Sequence, residues 1–168
     1  LGHHFNGESD TEMILHAYTE WGIKAVERFI GMFAIALFDE KKQEVVFIRD
    51  RAGVKPLFYS ETDYGFVFGS EIKSVLEAGG ININLNDQAL SEYLWYGNSY
   101  EDRTFYQGIK SLLPGQYLII KNEKNFLEFW WKIEEWLKNS YMPEEKLKAR
   151  NELLDALDLS VKRQMISD

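Results

Sequence analysis

The chain has 168 residues, no cysteine and a formal net charge of −8 at pH 7. Its 27 acidic residues outnumber 19 basic ones, which argues against a nucleic-acid partner, because such binding needs cations to neutralise phosphates. The lack of cysteine excludes disulfides and a cysteine nucleophile within these residues and fits a cytoplasmic location. No apolar run approaches the roughly 18 residues of a membrane span, so no membrane partner is expected.

The first predicted element is an amphipathic helix that starts at a capping box. Ser9-Asp10-Thr11-Glu12 places a serine at the N-cap and a glutamate three residues later. The apolar positions that follow have helical spacing: Met13, Ile14, Ala17, Tyr18 and Trp21. Gly22 is expected to end this helix, and a shorter helix is expected from Lys24 to Phe29.

Two β-hairpins are predicted next. The runs Met32–Phe38 and Val45–Ile48 are joined by a polar loop, and Leu57–Ser60 pairs with Phe66–Gly69 across a turn. Because Phe33–Phe38 is apolar at every position, we expect this strand to be covered on both faces, as in a layered sandwich.

The rest of the chain alternates between helices and strands. Glu71–Glu77 predicts a short helix, and Asn86 or Asp87 is expected to cap another, with Leu90, Tyr93 and Leu94 on its apolar face. Pro114-Gly115 turns into two further strands, Gln116–Lys121 and Phe126–Trp131. A linker near Lys138–Pro143 is expected to precede a long helix that opens at Pro143-Glu144-Glu145. The pattern as a whole predicts an α+β fold with antiparallel sheets.

Few residues of this chain suggest chemistry. Asp10 suits the first turn of a helix electrostatically, and its carboxylate is also able to bind the α-amine of an amino acid. Arg49-Asp50-Arg51 and Lys55 form either a solvated turn with ion pairs or a buried network that fixes a loop, and we favour a structural role in both cases. His3, His4 and His16 lack metal-ligand spacing, so no metal site is expected.

Several motifs in consistent order resemble the glutaminase domain of the glutamine-hydrolysing asparagine synthetase family, a class II glutamine amidotransferase domain. Gly2, His3 and Phe5 precede the Ser9–Glu12 helix start, as in that family. The resemblance continues through Gly31–Asp39, Arg49–Tyr59, Gly69–Lys73, Arg103–Lys110, Leu113–Gly115, Phe129-Trp130 and Val161–Asp168.

This resemblance implies an incomplete αββα sandwich of the N-terminal-nucleophile type. Residues 1–138 would form the C-terminal part of the glutaminase domain. Residues 139–168 would form a linker and the first helix of an α/β, ATP-dependent synthetase domain. Because the sequence begins at Leu1 and contains no cysteine, we expect a piece of a longer protein that lacks its N-terminal cysteine segment.

The resemblance also implies a reaction and its participants. Glutamine would be hydrolysed to glutamate and ammonia, and the ammonia would amidate aspartate that ATP and magnesium activate in the synthetase domain. Asp10 matches the family position that binds the glutamine amine. No catalytic, cofactor-binding or metal-binding residue carries over, so residues 1–168 alone are expected to release no glutamate from glutamine. Asn6-Gly7-Glu8 repeats a family tripeptide at the wrong place and is interpreted as coincidence.

Three alternatives remain open at the level of sequence. Amidotransferases of the same family act on sugars or other carboxylates in surface polysaccharide pathways, and related ligases form β-lactams without glutamine. A non-catalytic interaction module would keep the fold and lose the nucleophile. The resemblance also leaves a homodimer open.

Overall fold

A computed structural model describes residues 2–7, 9–122, 124–138 and 146–165. The chain divides into two compact units, Leu1–Trp131 and Lys132–Asp168. The elements in chain order are α1 (Asp10–Trp21), a 3-10 helix (Gly22–Arg28), β1 (Ala34–Asp39), β2 (Glu44–Arg49), β3 (Phe58–Thr62), β4 (Gly65–Gly69), α2 (Ile72–Glu77), α3 (Asp87–Tyr96), β5 (Lys110–Ser111), β6 (Gln116–Lys121), β7 (Lys124–Phe129), α4 (Ile133–Lys138) and α5 (Lys146–Gln164).

The first unit contains two antiparallel sheets. The strand order is β1-β2-β6-β7 in the four-stranded sheet and β4-β3-β5 in the three-stranded sheet. Both predicted hairpins are confirmed, since β1 pairs with β2 and β3 pairs with β4 in antiparallel register. The prediction of a mixed α and β fold with antiparallel sheets is therefore correct. Strand β5 was missed, because two residues are too short to show a strand period.

Two apolar clusters lie on opposite faces of the four-stranded sheet. On one face, Val46 and Ile48 of β2 pack with Tyr18 of α1 and Val26 of the 3-10 helix. On the other face, Phe47 packs in a cluster that reaches both sheets; its other buried members are Leu57, Leu112 and Leu118, with Tyr59 and Phe66 partly buried. Each fully buried side chain of this kind contributes about 1.5–3 kcal/mol of transfer free energy. The four-stranded sheet thus has helices on one side and the second sheet on the other.

Strand β1 corrects one expectation. Ile35 and Leu37 are buried, but Ala36 is exposed and Phe38 is 60% exposed. The prediction that this apolar strand is covered on both faces is wrong within the described residues. The reason is topological: β1 is the edge strand of its sheet, whereas the second sheet packs against the central strands β2 and β6.

Helix α3 was predicted correctly, but its buried face was not. Asn86 caps it by accepting a hydrogen bond from the Ala89 N–H at 3.2 Å. Leu90, Tyr93 and Leu94 are 38%, 48% and 76% exposed, and the buried residue of this helix is Ala89. The larger apolar residues of this helix therefore lie at the surface of the first unit.

The second unit contains the short helix α4 and the long helix α5. The predicted linker near Lys138–Pro143 and the predicted helix start at Pro143 lie largely outside the described residues. Helix α5 buries no side chain, and its predicted apolar positions are 49–65% exposed: Leu147, Leu154, Leu157 and Val161. The assignment of residues 139–168 to another domain stays a prediction. None of the helices in the described part of the chain is both long and apolar enough to span a bilayer.

Candidate functional site

The start of α1 is held by two separate groups of hydrogen bonds. Ser9 has extended backbone angles, and its hydroxyl accepts from the Thr11 N–H at 3.2 Å. The Glu12 carboxylate accepts from the N–H groups of Asn6 at 2.8 Å and Gly7 at 3.0 Å. The serine cap is therefore confirmed, but the glutamate reaches residues further upstream than the N-cap N–H that a capping box would satisfy.

These bonds also give the segment before α1 a structural role. The backbone hydrogen bond from Asn6 is the largest of the interactions that lower the pKa of Glu12. The Asn6-Gly7 backbone thus serves to cap α1 through Glu12.

Asp10 lies at the first position of α1 and is exposed. No described residue forms a hydrogen bond or ion pair with its carboxylate. Asp10 and Glu12 are the two acidic residues of the first turn, and Glu12 is occupied by the upstream backbone. Asp10 is accordingly the carboxylate of this turn that is available to a ligand.

Two histidines tie the residues before the helix to α1. The rings of His3 and His16 lie 4.7 Å apart, and the Phe5 ring meets His16 edge-on. His3 Nε2 lies 3.3 Å from Glu20 Oε2, and His16 Nε2 lies 3.8 Å from Glu12 Oε1. Among the described residues there is no cluster of three or more potential metal ligands.

Asp50 is the centre of the charged turn that follows β2. It is 1% exposed, and its Oδ1 accepts from the N–H groups of Ala52 at 3.0 Å and Val54 at 3.1 Å. Its Oδ2 accepts from the backbone N–H groups of Lys55 at 3.0 Å and Phe33 at 3.3 Å. A buried carboxylate is costly unless it is hydrogen-bonded. Here four backbone donors satisfy it and fix the path of the turn.

Arg49 fixes the same turn from the other side. Its guanidinium donates to the carbonyls of Lys55 at 2.9 Å, Gly53 at 2.7 Å and Leu112 at 2.5 Å, and to Ser111 Oγ at 3.0 Å. Burial lowers the pKa of Arg49. Gly53 has φ +65°, and a Cβ there would lie 2.6 Å from Pro114 Cγ, so a side chain at this position would meet the next loop.

Arg51 connects the turn to the helical layer. It donates to the carbonyls of Phe29 and Glu27, and its guanidinium lies 4.7 Å from the centre of the Trp130 ring. The Trp130 indole N–H donates to the Arg49 carbonyl at 3.1 Å. Asp50 is buried and the two arginines are half-buried, whereas Lys55 is exposed. Their hydrogen bonds support the favoured structural role of this segment. Its acceptors are mainly backbone carbonyls, so the alternative of a solvated turn with ion pairs does not apply.

A cavity that sequence reasoning missed lies next to this network. It has a volume of about 420 Å³, and its lining includes Arg49, Phe58, Tyr93, Arg103 and Phe105. These residues come from two separate stretches of the sequence, positions 49–58 and 93–105, and no local motif joins the two stretches. A second cavity of about 300 Å³ is lined by residues of both sheets, including Tyr59 and Leu118.

Comparison with known proteins identifies the family. A model of the glutamine amidotransferase domain matches residues 1–131. Asparagine synthetase [glutamine-hydrolyzing] 3 of Bacillus subtilis strain 168 is 36% identical over 99% of this chain and 27% of its own length. Asparagine synthetase [glutamine-hydrolyzing] 2 of the same strain is 37% identical over 90% of this chain and 22% of its own length. The chain thus spans about a quarter of the length of these curated relatives.

A solved structure supports the fold independently. The B. subtilis glutamine phosphoribosylpyrophosphate amidotransferase, complexed with ADP and GMP, aligns with 76% of this chain and 24% of its own, with a TM-score of 0.50 and 20% identity. At that identity the likeness establishes the fold alone. On the strength of the domain match and of relatives that align with nearly all of its length, the chain belongs to the glutamine amidotransferase domain family of the glutamine-hydrolysing asparagine synthetases.

Proposed function

We propose that this chain is part of a glutamine-dependent asparagine synthetase. In this proposal glutamine is hydrolysed to glutamate and ammonia, and the ammonia amidates aspartate that has been activated by ATP. The observation that carries the proposal is the 36% identity to a glutamine-hydrolysing asparagine synthetase over 99% of the chain. The αββα arrangement expected for the complete domain is part of the same proposal, and the helix–sheet–sheet packing of the described residues supports it.

The reaction requires groups from outside these 168 residues. Amide hydrolysis through a covalent intermediate needs an activated nucleophile, and the chain has no cysteine to serve as one. ATP and magnesium would be bound by the synthetase domain, which follows the glutaminase domain in the family. The contribution of residues 1–131 would be to bind and orient glutamine and to complete the walls of the site.

Asp10 is the residue that we assign to glutamine binding. Its exposed carboxylate at the helix start can accept charge-assisted hydrogen bonds from the α-ammonium group of glutamine. Glu12 cannot replace it, because both of its oxygens are held by backbone N–H groups. Asp10 would therefore bind the substrate at a position remote from the amide that reacts.

The test is Asp10→Asn in the full-length protein. Removing a hydrogen bond between charged groups costs about 1.5–3 kcal/mol, so KM for glutamine should rise about 10- to 100-fold. Synthesis driven by added ammonia should be unchanged, because it bypasses glutamine. Steady-state assays with each nitrogen source measure both quantities.

Asp87→Asn is the matched control. Asp87 is exposed and occupies the first position of α3, as Asp10 does in α1. Both variants lose the same interaction with a helix dipole. An equal effect of the two substitutions on KM for glutamine, or a parallel loss of ammonia-driven synthesis in Asp10→Asn, would exclude the proposed role of Asp10.

A further inference from the structure

The cavity beside α3 has the size and composition of a ligand site. Its volume of about 420 Å³ is within the range of roughly 300–1,000 Å³ that is usual for small-molecule pockets. Phe58 of β3, Ile72 of α2 and Tyr93 of α3 contribute to its walls, together with residues of the 98–105 loop. None of the described lining residues belongs to α1, so this cavity is separate from the proposed glutamine contact at Asp10.

Two arginines and one glutamate contribute to this lining. Arg49 and Arg103 both border the cavity, and Glu101 is the acidic residue among the described lining residues. The hydrogen bonds of Arg49 go to carbonyl and hydroxyl oxygens, and no described carboxylate forms an ion pair with it. Arg49 is therefore half-buried, and the nearby charge of Asp50 partly offsets its own.

Arg103 is held in place by neighbouring acids. Its Nε lies 3.2 Å from Glu92 Oε2 and its terminal Nη2 lies 2.8 Å from Glu92 Oε1, while Nη1 contacts Glu101. Glu92 also accepts from the Tyr100 N–H at 2.9 Å, which fastens the loop to α3. A guanidinium has five N–H donors. The described residues use four from Arg49 and three from Arg103, so donors on both side chains remain for a ligand.

Aromatic residues supply the apolar part of the lining. Phe58, Tyr93 and Phe105 border the cavity, and the rings of Tyr93 and Phe105 meet edge-on with centroids 5.2 Å apart. Guanidinium groups recognise carboxylates and phosphates, and aromatic side chains bind flat rings. We propose that this cavity binds a small organic anion that carries a flat ring, with Arg103 and Arg49 contacting the anion and the aromatic residues contacting the ring.

Calorimetric titration of the full-length protein tests the proposal with four probes. Adenosine 5′-monophosphate and benzoate each combine a ring with an anion, whereas inorganic phosphate supplies only the anion and adenosine only the ring. The first two probes also distinguish a phosphate ligand from a carboxylate ligand. The proposal expects at least one of them to bind more tightly than both inorganic phosphate and adenosine.

Two cavity variants and one control locate the binding. Arg103→Gln should weaken the tighter ring-bearing anion by about tenfold, the equivalent of one charge-assisted hydrogen bond. Tyr93→Leu keeps the charge and should weaken that probe while leaving inorganic phosphate unchanged. Arg28→Gln removes an exposed arginine that lies over Trp21 and should have no effect. The proposal is overturned if neither ring-bearing anion binds, if phosphate alone binds as tightly, or if Tyr93→Leu binds like the parent protein.

Discussion

At the scale of single residues, hydrogen bonding to the backbone matters more than charge pairing. Asp50 and Arg49 are adjacent, yet each forms its hydrogen bonds mainly with main-chain groups. The Asp50 carboxylate accepts from four N–H groups, and the Arg49 guanidinium donates to three carbonyls. An ion pair between them would leave those buried groups unpaired, which costs about 1–3 kcal/mol for each group. The sequence shows that charged residues cluster between Arg49 and Lys55. It does not show their hydrogen-bond partners, because these are main-chain groups that every residue has.

Asp50→Asn should destabilise the first unit strongly. In the variant, the asparagine NH₂ group would replace one of the two carboxylate oxygens. It would then face either the N–H groups of Lys55 and Phe33 or those of Ala52 and Val54, and that pair of donors would lose its acceptor. We expect the free energy of unfolding to fall by about 3 kcal/mol. Urea denaturation measures the change. Asp63→Asn, at an exposed hairpin turn, is the control, and equal stability of the two variants would show that Asp50 does not hold the turn.

At the scale of secondary structure, tyrosines link strands to neighbouring elements. Tyr117 of β6 donates to Glu128 of β7 at 2.5 Å, and Tyr18 of α1 donates to the buried Glu44 of β2 at 3.1 Å. Tyr59 of β3 packs against the cluster that joins the two sheets. The Tyr117 and Tyr18 hydroxyls must stay protonated to donate, and an ionised Tyr59 would place a charge against an apolar cluster, so these contacts are sensitive to alkaline pH.

Burial raises the pKa of Tyr59 to about 12, and burial with the hydrogen bond to Glu128 raises that of Tyr117 to about 12. In the unfolded chain a tyrosine ionises near about pH 10. A folded-state pKa above the unfolded value means that stability is fully present below about pH 10 and is lost as pH rises toward 12. The urea concentration at the unfolding midpoint should therefore be lower at about pH 11 than at about pH 9. Tyr59→Phe and Tyr117→Phe should each make this decrease in the midpoint smaller. Tyr64→Phe is the control, because the Tyr64 side chain is 89% exposed, and it should leave the decrease unchanged. If neither Tyr59→Phe nor Tyr117→Phe changes the pH dependence of stability, these two tyrosines are not its cause.

At the scale of the whole molecule, large apolar side chains remain at the surface of each unit. In the first unit Leu94, Trp95 and Phe38 are 76%, 83% and 60% exposed. In the second unit Leu147 and Leu153 are 65% and 60% exposed. Single exposed apolar side chains are ordinary, whereas contiguous exposed apolar patches mark surfaces that other chains or domains cover.

Residues 1–168 alone should consequently self-associate. Exposed apolar surface and the open edge of β1 both favour contact between copies. Sedimentation velocity over a range of concentrations should show the mean mass rising above the 19.7 kDa of one chain. Leu94→Glu should reduce the association more than Asp63→Asn does. A sharp, reversible melt of a monomer that is independent of concentration would contradict the prediction.

The sequence by itself determined the antiparallel hairpins, the capped helices α1 and α3 and the family, because periodicity, caps and motif order are local properties. It also singled out Asp10 as a candidate ligand of glutamine, through its place in a motif. Only the tertiary structure decided that β1 is an edge strand with Phe38 exposed and that α3 buries Ala89 in place of its larger apolar residues. It alone brought Arg49, Tyr93 and Arg103 around one cavity. These outcomes depend on which surfaces meet across long stretches of chain, and no local pattern encodes that choice.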